Sequence, residues 1–256
     1  NSITNEFKRF SSKIWRIILR RFYAPSENFT DSNITLNIEE TRHLRDVLRL
    51  REEENVQILD GNGKEFFCEI ETIGKKETHL RIIKEISPSA PESSLELNLA
   101  AALLKGEKFD LVIQKAVELG VAKFVPIITK RTDVKLKDAD KKLERWQKIV
   151  LEASKQCGRA KFMEIAQPIE FSSFIKTAEA NKILFSEQNG ESFSAIKSGK
   201  KITALIGSEG GWDDSEIDLA RKNGVQIITL GGRILRAETA GIVIPALLQN
   251  HFGDLL

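Results

Sequence analysis

The chain has 256 residues, 41% of them hydrophobic, which is enough for two domains that each bury a core. No run of 18 apolar residues occurs, so we expect no membrane-spanning helix. Two cysteines and three scattered histidines argue against a disulfide framework and against a metal site, and they fit a reducing cytoplasm. We therefore expect a soluble cytoplasmic protein without a metal.

The formal net charge of +2 conceals two basic segments. Residues 1–21 carry six basic side chains and one acidic one, and residues 130–161 carry eleven basic against five acidic. Local concentrations of Lys and Arg suit the phosphates of a nucleic acid. A solvated helix face explains either segment equally well, so charge alone does not decide between these interpretations.

Residues 1–19 form a basic N-terminal extension with Phe7, Phe10 and Ile14 at near-helical spacing. A targeting remnant, a membrane-surface helix and a helix docked on the protein all fit this pattern. We favour the docked helix, because Glu6 and the short length weaken the other two interpretations.

Short strands and one helix are predicted between residues 20 and 86, with a β-hairpin signal at Gly61-Asn62-Gly63. The predicted strands are 34–36, 56–60, 64–70 and 78–86, and the predicted helix is 38–50. This pattern indicates a small β-barrel of a size often used to bind RNA. Residues 87–94 have the composition of a linker.

Strands and helices alternate beyond the linker, which predicts an α/β domain with a largely parallel sheet and ligand sites at the carboxyl ends of its strands. The predicted strands are 95–103, 123–129, 162–166, 182–185, 202–206 and 226–230. Helices are predicted at 109–119, 141–156 and 240–249, with further helices in between.

Two glycine-containing loops follow predicted strands and precede helices. The first runs from Gly207 to Trp212, before Asp213 and Glu216 at the spacing of a capping box. The second is the segment 230–240, in which paired glycines let a backbone approach a ligand closely. Either loop alone could be an ordinary turn, but two at one sheet edge indicate a pocket. Neither matches a P-loop or a dinucleotide-binding pattern, so the ligand must be held mainly by backbone groups and apolar walls.

Sequence features outside these loops, together with the loops themselves, identify a known family. The features are Arg20-Arg21-Phe22-Tyr23, His43-Leu44, Val47-Leu48-Arg49, Gln114–Val121, Arg145-Trp146, Glu152-Ala153 and Gln156-Cys157-Gly158-Arg159. In this order they resemble the bacterial small-subunit (16S) rRNA uridine N3-methyltransferase family of the SPOUT superfamily. The resemblance covers residues 20–253 and leaves the extension without a role.

The resemblance implies a PUA-like RNA-binding β-barrel over residues 20–90 and a trefoil-knotted methyltransferase domain over residues 91–256. It also implies a homodimer and S-adenosyl-L-methionine as the cofactor. The implied substrate is N3 of a specific uridine in 16S rRNA, within an assembled small ribosomal subunit. True knots are exceptional among folds, so composition and periodicity alone would not predict one.

Site residues follow from placing the family's loops on this sequence. The implied cofactor contacts are Ser186, Glu187, Gly207, Ser208, Gly210, Gly211, Leu230, Gly231, Ile234, Leu235, Arg236 and Ala240. For the chemistry, Arg236 with Arg233 would stabilise the uridine anion, and Glu209 or Glu238 would accept its proton. A structural salt bridge between Arg236 and Glu238 is the equal alternative. The expected RNA contacts are Arg20, Arg21, Tyr23, Arg49, Gln156, Arg159 and Arg233.

Three positions depart from the family's common pattern, which has proline at 208 and 232 and threonine at 237, where this chain has Ser208, Gly232 and Ala237. These changes predict weaker cofactor binding more than a different activity. They also keep open a catalytically silent RNA-binding or ribosome-assembly factor with the same fold. A third, weaker alternative is a nucleotide-binding enzyme of another kind.

Overall fold

The computed structural model describes residues 20–134, 138–178, 181–197 and 199–255, so the basic extension lies outside the described residues. The described chain divides into two compact units. The first contains residues 20–91 and Lys155–Lys161, and the second contains residues 92–154 and 162–255. The segment Lys155–Lys161 was not expected in the first unit.

A five-stranded curled sheet forms the first unit. Its strands are β1 (Arg21–Tyr23), β2 (Asn33–Leu36), β3 (Asn55–Leu59), β4 (Glu65–Ile73) and β5 (Thr78–Ile86). They lie in the order β1-β3-β4-β5-β2, with β1 parallel to β3 and all other pairs antiparallel. Two register shifts between β4 and β5 bend this long pair. The sheet thereby wraps around a core that includes Phe22, Leu36, Leu44, Ile58 and Leu80.

The predicted hairpin joins β3 and β4. Leu59 pairs with Glu65 at its closed end, and the Asp60 N–H donates to the Lys64 carbonyl over 3.1 Å. The Asp60 carboxylate accepts the backbone N–H groups of Asn62 and Lys64, at 2.8 and 3.0 Å. This aspartate therefore satisfies the tight loop that the glycines allow.

The predicted helix 38–50 is shorter than expected. Helix α1 covers Ile38–Arg42, and a π-helical turn follows over His43–Val47. In that turn the Leu48 N–H donates to the His43 carbonyl, and the Leu50 N–H donates to the Leu44 carbonyl. Both Leu44 and Leu50 are buried in the core of the first unit.

Arg21 is buried, which corrects its prediction as an RNA contact. Its guanidinium donates to the Glu65 carboxylate over 3.0 Å and to the carbonyls of Lys155 and Gly158 over 3.3 and 3.0 Å. A second buried ion pair joins Lys155 to Glu40 over 2.9 Å. Arg21 therefore fastens the segment Lys155–Lys161 to the β-sheet of the first unit and is not available to a phosphate.

A parallel seven-stranded sheet forms the centre of the second unit. Its strands are β6 (Glu96–Ala102), β7 (Lys123–Ile128), β8 (Glu164–Ile165), β9 (Ile169–Glu170), β10 (Lys182–Phe185), β11 (Lys201–Ile206) and β12 (Gln226–Ile228). The order is β12-β10-β11-β6-β7-β8, and β9 also pairs with β7. Every pairing is parallel, as the alternating pattern predicted.

Helices cover this sheet. They are α2 (Glu107–Glu118), α3 (Ala139–Cys157), α4 (Phe171–Phe174), α5 (Asp214–Lys222) and α6 (Ala237–Phe252). Phe171, Phe174 and Trp212 belong to one buried cluster with the side chains of the central strands. Helix α6 packs against α2 at Gly241, where a Cβ would lie 2.8 Å from Val112. The Gln249 amide also donates to the Gly120 carbonyl over 3.2 Å, which fixes the end of α6.

Several predicted boundaries change in the second unit. The predicted strand 162–166 is reduced to β8, and β9 was not predicted. Strand β12 ends at Ile228 because the next residue, Thr229, bonds to the loop after β10: its N–H donates to the Glu191 carbonyl over 2.9 Å. Helix α6 begins three residues before the predicted Ala240.

Neither a helix long and apolar enough to cross a bilayer nor a group of three metal-ligating side chains occurs in the part of the chain that the structure describes. The parallel α/β unit and the curled β unit agree with the predicted fold class. The trefoil knot stays a prediction.

We predict that Glu65→Ala lowers the free energy of unfolding by about 3–5 kcal/mol, because it leaves the buried Arg21 guanidinium without its carboxylate. Urea denaturation followed by circular dichroism measures the change. The matched control is Glu69→Ala on the same strand, whose partner Arg81 is half exposed, for which about 0.2–1 kcal/mol is expected. Equal losses in the two variants would contradict the structural role of Arg21.

Candidate functional site

A cavity of about 380 Å³ opens at the carboxyl ends of β10 and β11 and beside the segment that follows β12. Its size suits a small organic ligand. The lining residues are Lys108, Phe185, Ser186, Glu187, Ile206, Gly207, Ser208, Glu209, Gly211, Trp212, Leu230, Arg233, Ile234, Leu235, Arg236, Ala237, Glu238, Ala240 and Ile244. The two glycine-containing loops predicted from the sequence therefore meet at one cavity.

The first glycine loop is a tight turn held against Trp212. The Gly211 N–H donates to the Ser208 carbonyl over 2.9 Å, and Gly211 has a φ of +68°, which glycine adopts without strain. A Cβ at Gly207 would lie 3.2 Å from the Trp212 ring. The Trp212 indole N–H donates to the Phe185 carbonyl over 2.8 Å, so the ring also ties this loop to the end of β10.

A reciprocal pair of hydrogen bonds joins the glycine loop to Arg131, in the loop after β7. The Ser208 hydroxyl donates to the Arg131 carbonyl over 2.9 Å, and the Arg131 guanidinium donates to the Gly210 carbonyl over 3.1 Å. A Cβ at Gly210 would lie 3.1 Å from the Arg131 Cβ, so the two backbones are close. The Ser208 hydroxyl thus fixes the glycine loop to the loop after β7.

The predicted capping box follows the glycine loop. Asp213 accepts the backbone N–H of Ser215 over 3.2 Å, and Glu216 accepts that of Asp213 over 3.0 Å. The Ser215 hydroxyl and N–H hold the pKa of Asp213 below its usual value. Glu216 also accepts the Lys130 N–H over 2.9 Å, which ties the β7 loop to the start of α5.

The second loop is more exposed than the first. Ile234 keeps 77% of its surface exposed although it lines the cavity, and Arg233 and Arg236 are exposed beside it. Gly232 has a φ of +91°, a conformation that glycine adopts without strain and that proline cannot take. Ala237 is buried and begins α6.

Three charged side chains meet where α2, the glycine loop and α6 converge. The Lys108 ammonium lies 3.5 Å from a carboxylate oxygen of Glu209 and 3.5 Å from one of Glu238. Glu238 is the less exposed of the two carboxylates, at 15% against 34%. Glu238 pairs with Lys108 through Oε1, and its Oε2 has no hydrogen-bond partner within the described residues, so the alternative of a salt bridge between Glu238 and Arg236 is not supported.

Ten of the twelve predicted cofactor residues line the cavity, as do Glu209, Glu238 and Arg233. Gly210 and Gly231 are absent from the lining, and Gly210 faces Arg131 instead. Sequence reasoning missed Lys108, Phe185, Ile206, Trp212, Ala237 and Ile244. Phe185 and Ile206 end their strands and could have been included for that reason. Lys108 offered a similar signal, since it follows the carboxyl end of β6, a third strand of the same parallel sheet.

The expected RNA contacts are divided between the units, with Arg233 in the second and the others in the first. Arg49 and Gln156 are exposed, and Arg20 is exposed although it pairs with Glu54 over 3.0 Å. Burial, Glu27 and Asp60 raise the pKa of Tyr23, so this ring has acidic neighbours. Arg159 is only 4% exposed, and we therefore leave it and Arg21 out of the RNA-binding set.

Comparisons with known proteins agree with this architecture. The sequence matches the RNA methyltransferase domain family over residues 91–249 and the RNA methyltransferase PUA domain family over residues 36–83. It is 34% identical to the ribosomal RNA small subunit methyltransferase E of Synechocystis sp., over 94% of this chain and 81% of that protein. The protein of the same name from Aquifex aeolicus is 31% identical, over 88% of this chain and 97% of its own length.

Solved structures give the same result. The ribosomal RNA small subunit methyltransferase E from Neisseria gonorrhoeae, bound to S-adenosyl methionine, superimposes with a TM-score of 0.86 at 33% identity, covering 93% of this chain and 100% of that one. A Legionella pneumophila protein with bound SAM superimposes with a TM-score of 0.85 at 34% identity, covering 92% and 98%. The chain therefore belongs to the RNA methyltransferase family that includes the bacterial ribosomal RNA small subunit methyltransferases E.

Proposed function

We propose that this protein transfers a methyl group from S-adenosyl-L-methionine to N3 of a uridine in 16S rRNA. The observation that carries the proposal is the cavity in which both glycine-containing loops meet at the carboxyl edge of a parallel sheet. Relatives that share this fold are named as small-subunit rRNA methyltransferases, and one of them was crystallised with S-adenosyl methionine.

The cavity fits that cofactor in size and in chemistry. Leu230, Leu235 and Ile244 supply apolar walls, while the backbone of the glycine loop supplies polar groups without side chains in the way. The positive sulfonium of the cofactor also suits a cavity that three carboxylates line, those of Glu187, Glu209 and Glu238. When bound, the sulfonium supplies a methyl group that is already activated for transfer.

The protein's task is then to align the uridine and to manage its proton. Arg233 and Arg236 are exposed at the cavity and could stabilise the negative charge that develops on the uracil ring. Glu209 and Glu238 line the same cavity and could accept the N3 proton. The target uridine must be unpaired or extruded, because N3 is hydrogen-bonded in a duplex.

For RNA binding we propose Arg20, Tyr23, Arg49 and Gln156 of the first unit and Arg233 of the second. All except Tyr23 are exposed, and Tyr23 offers a ring face on which a base could stack. Exposed basic side chains suit a phosphate-rich substrate, and we propose that this substrate is the assembled small subunit. The cytoplasm, where ribosomal subunits are built, would be the site of action.

A homodimer is the assembly that we propose. Helix α6 has apolar residues on more than its buried side: Ile242, Val243 and Ala246 are partly exposed, and Leu247 is 37% exposed. Leu111 on the neighbouring α2 is 39% exposed. A second copy of the same surface would remove these side chains from water.

The first experiment is nucleoside mass spectrometry of small subunits, prepared from cells that lack this protein and incubated with purified protein and S-adenosyl-L-methionine. We expect 3-methyluridine in 16S rRNA, and more of it from assembled subunits than from naked RNA. Omission of the cofactor is the control. A different methylated nucleoside would overturn the proposed target atom, whereas RNA binding without methylation would favour a catalytically silent assembly factor.

We predict that Ser208→Ala raises the dissociation constant for S-adenosyl-L-methionine about 2- to 10-fold, because the glycine loop loses its bond to the Arg131 carbonyl. Titration calorimetry measures the constant. Ser194→Ala is the matched control, since this exposed serine bonds to Ser192 and does not line the cavity. Equal affinities in the wild type and Ser208→Ala would show that the bond does not prepare the loop for the cofactor.

We also predict that Leu247→Glu converts a dimer to a monomer in light scattering after size exclusion, because a carboxylate would be buried in the interface. Ile83→Glu, at an apolar side chain of the first unit that is 45% exposed, should leave the dimer intact. A monomeric wild type at micromolar concentration would contradict the proposed assembly.

A further inference from the structure

Glu209 and Glu238 are both candidates for the proton acceptor, and the structure distinguishes them through their partners. The carboxylate of Glu209 is held by two donors on one oxygen: the Lys108 ammonium at 3.5 Å and the Lys105 backbone N–H at 3.4 Å. It is also the more exposed carboxylate, so water can satisfy its remaining capacity. Glu209 therefore has little unmet demand for a hydrogen-bond donor.

The carboxylate of Glu238, in contrast, lacks a hydrogen-bond donor on one of its oxygens within the described part of the chain. Its Oε1 lies 3.5 Å from the Lys108 ammonium, whereas Oε2 is buried and has no hydrogen-bond partner among the described residues. A buried acceptor without a donor is unfavourable, and because Glu238 lines the cavity, a ligand N–H that reaches its carboxylate would relieve this. The imide N3–H of uridine is a donor of this kind.

Two sources of positive charge lie next to the Glu238 carboxylate. Glu238 lies in the first turn of α6, at the positive end of the helix dipole. The ammonium of Lys108, from the first turn of α2, lies 3.5 Å from a carboxylate oxygen. The other charged side chains that line the cavity are the acidic Glu187 and Glu209 and the basic Arg233 and Arg236.

We propose that Glu238 is the group that takes the proton from N3 of the target uridine and that Lys108 is its positioning residue. The inference rests on the proposed function. In the step, the N3–H bond breaks and the proton passes to the carboxylate of Glu238. The electron pair of N3 forms the new bond to the methyl carbon, and the methyl–sulfur bond breaks with its pair left on sulfur. Lys108 pairs with the carboxylate and fixes its orientation.

The test compares two isosteric variants, Glu238→Gln and Glu209→Gln, in single-turnover assays on small ribosomal subunits between neutral and alkaline pH. Glu238→Gln should slow methylation about 100-fold or more at neutral pH, within the range typical of general bases. The loss should shrink as the pH rises, because solvent hydroxide then removes the N3 proton without help. Any loss of methylation rate in Glu209→Gln should be the same factor at every pH.

A second RNA substrate tests removal of the N3 proton at a single pH. In RNA that contains 5-fluorouridine, the fluorine withdraws electrons and makes the N3 proton easier to remove. The defect of Glu238→Gln should therefore be smaller on this RNA than on ordinary RNA, and that of Glu209→Gln should not change. Titration calorimetry should show similar affinities of Glu238→Gln and Glu209→Gln for S-adenosyl-L-methionine, because each variant removes one carboxylate from the cavity and the special role of Glu238 is directed at the uridine.

Lys108 is tested by Lys108→Met and Lys108→Arg. Lys108→Met should lower the single-turnover rate on ordinary RNA more than on RNA that contains 5-fluorouridine, because Lys108 acts through the carboxylate that takes the N3 proton. Lys108→Arg should retain the wild-type rate on both substrates. Thermal unfolding of both variants separates this effect from a general loss of structure, which would lower the rate by the same factor on both substrates.

Several outcomes would overturn the assignment. A Glu238→Gln variant with the wild-type rate, or with a loss that does not change with pH or with fluorouridine, would exclude Glu238 as the proton acceptor. A much larger loss of cofactor affinity in Glu238→Gln than in Glu209→Gln would show that the Glu238 carboxylate binds the cofactor instead. If wild-type protein forms a methylated nucleoside other than 3-methyluridine, the proposed function fails independently of these variants.

Discussion

The parallel pairing of β10 with β11 on one side and β12 on the other is the constraint on which the cavity depends. Phe185 is level with Ile206 of β11 and with Ile228 of β12, so three strands end in one row. Their following loops leave from the same edge and are joined there, since the Ser186 N–H donates to the Ile228 carbonyl over 2.9 Å. A binding site made largely of main chain needs this degree of alignment.

The three charged side chains that meet in the cavity, Lys108, Glu209 and Glu238, come from different parts of the chain. Lys108 is brought in by the strand–helix connection after β6, Glu209 by the glycine loop and Glu238 by the start of α6. One ammonium between two carboxylates leaves the group with a local excess of negative charge. That excess suits a reaction in which a cationic methyl donor and a proton both have to be accommodated.

Local sequence signals predicted the parts of the structure whose causes are local. The glycine hairpin, the capping box at Asp213 and the two loops of the cavity all depend on residues a few positions apart. Lys108 could not be placed with comparable certainty, because its contacts to Glu209 and Glu238 span more than a hundred positions. The prediction of Arg21 as an RNA contact was wrong for the same reason. A basic residue at the start of a β module suggests RNA binding, whereas the hydrogen-bond acceptors of Arg21 lie 44 to 137 residues further along the chain.

The buried contacts of Arg21 show that the first unit includes more than the continuous segment 20–91. A fragment cut after Pro91 would keep the whole β-sheet yet lose two carbonyl acceptors of that guanidinium and the ammonium that neutralises Glu40. Such a fragment would leave the buried Glu40 carboxylate without its ammonium and two hydrogen bonds of the Arg21 guanidinium unmade. This module is therefore completed by a piece of chain that the ribosome makes about sixty residues after Pro91.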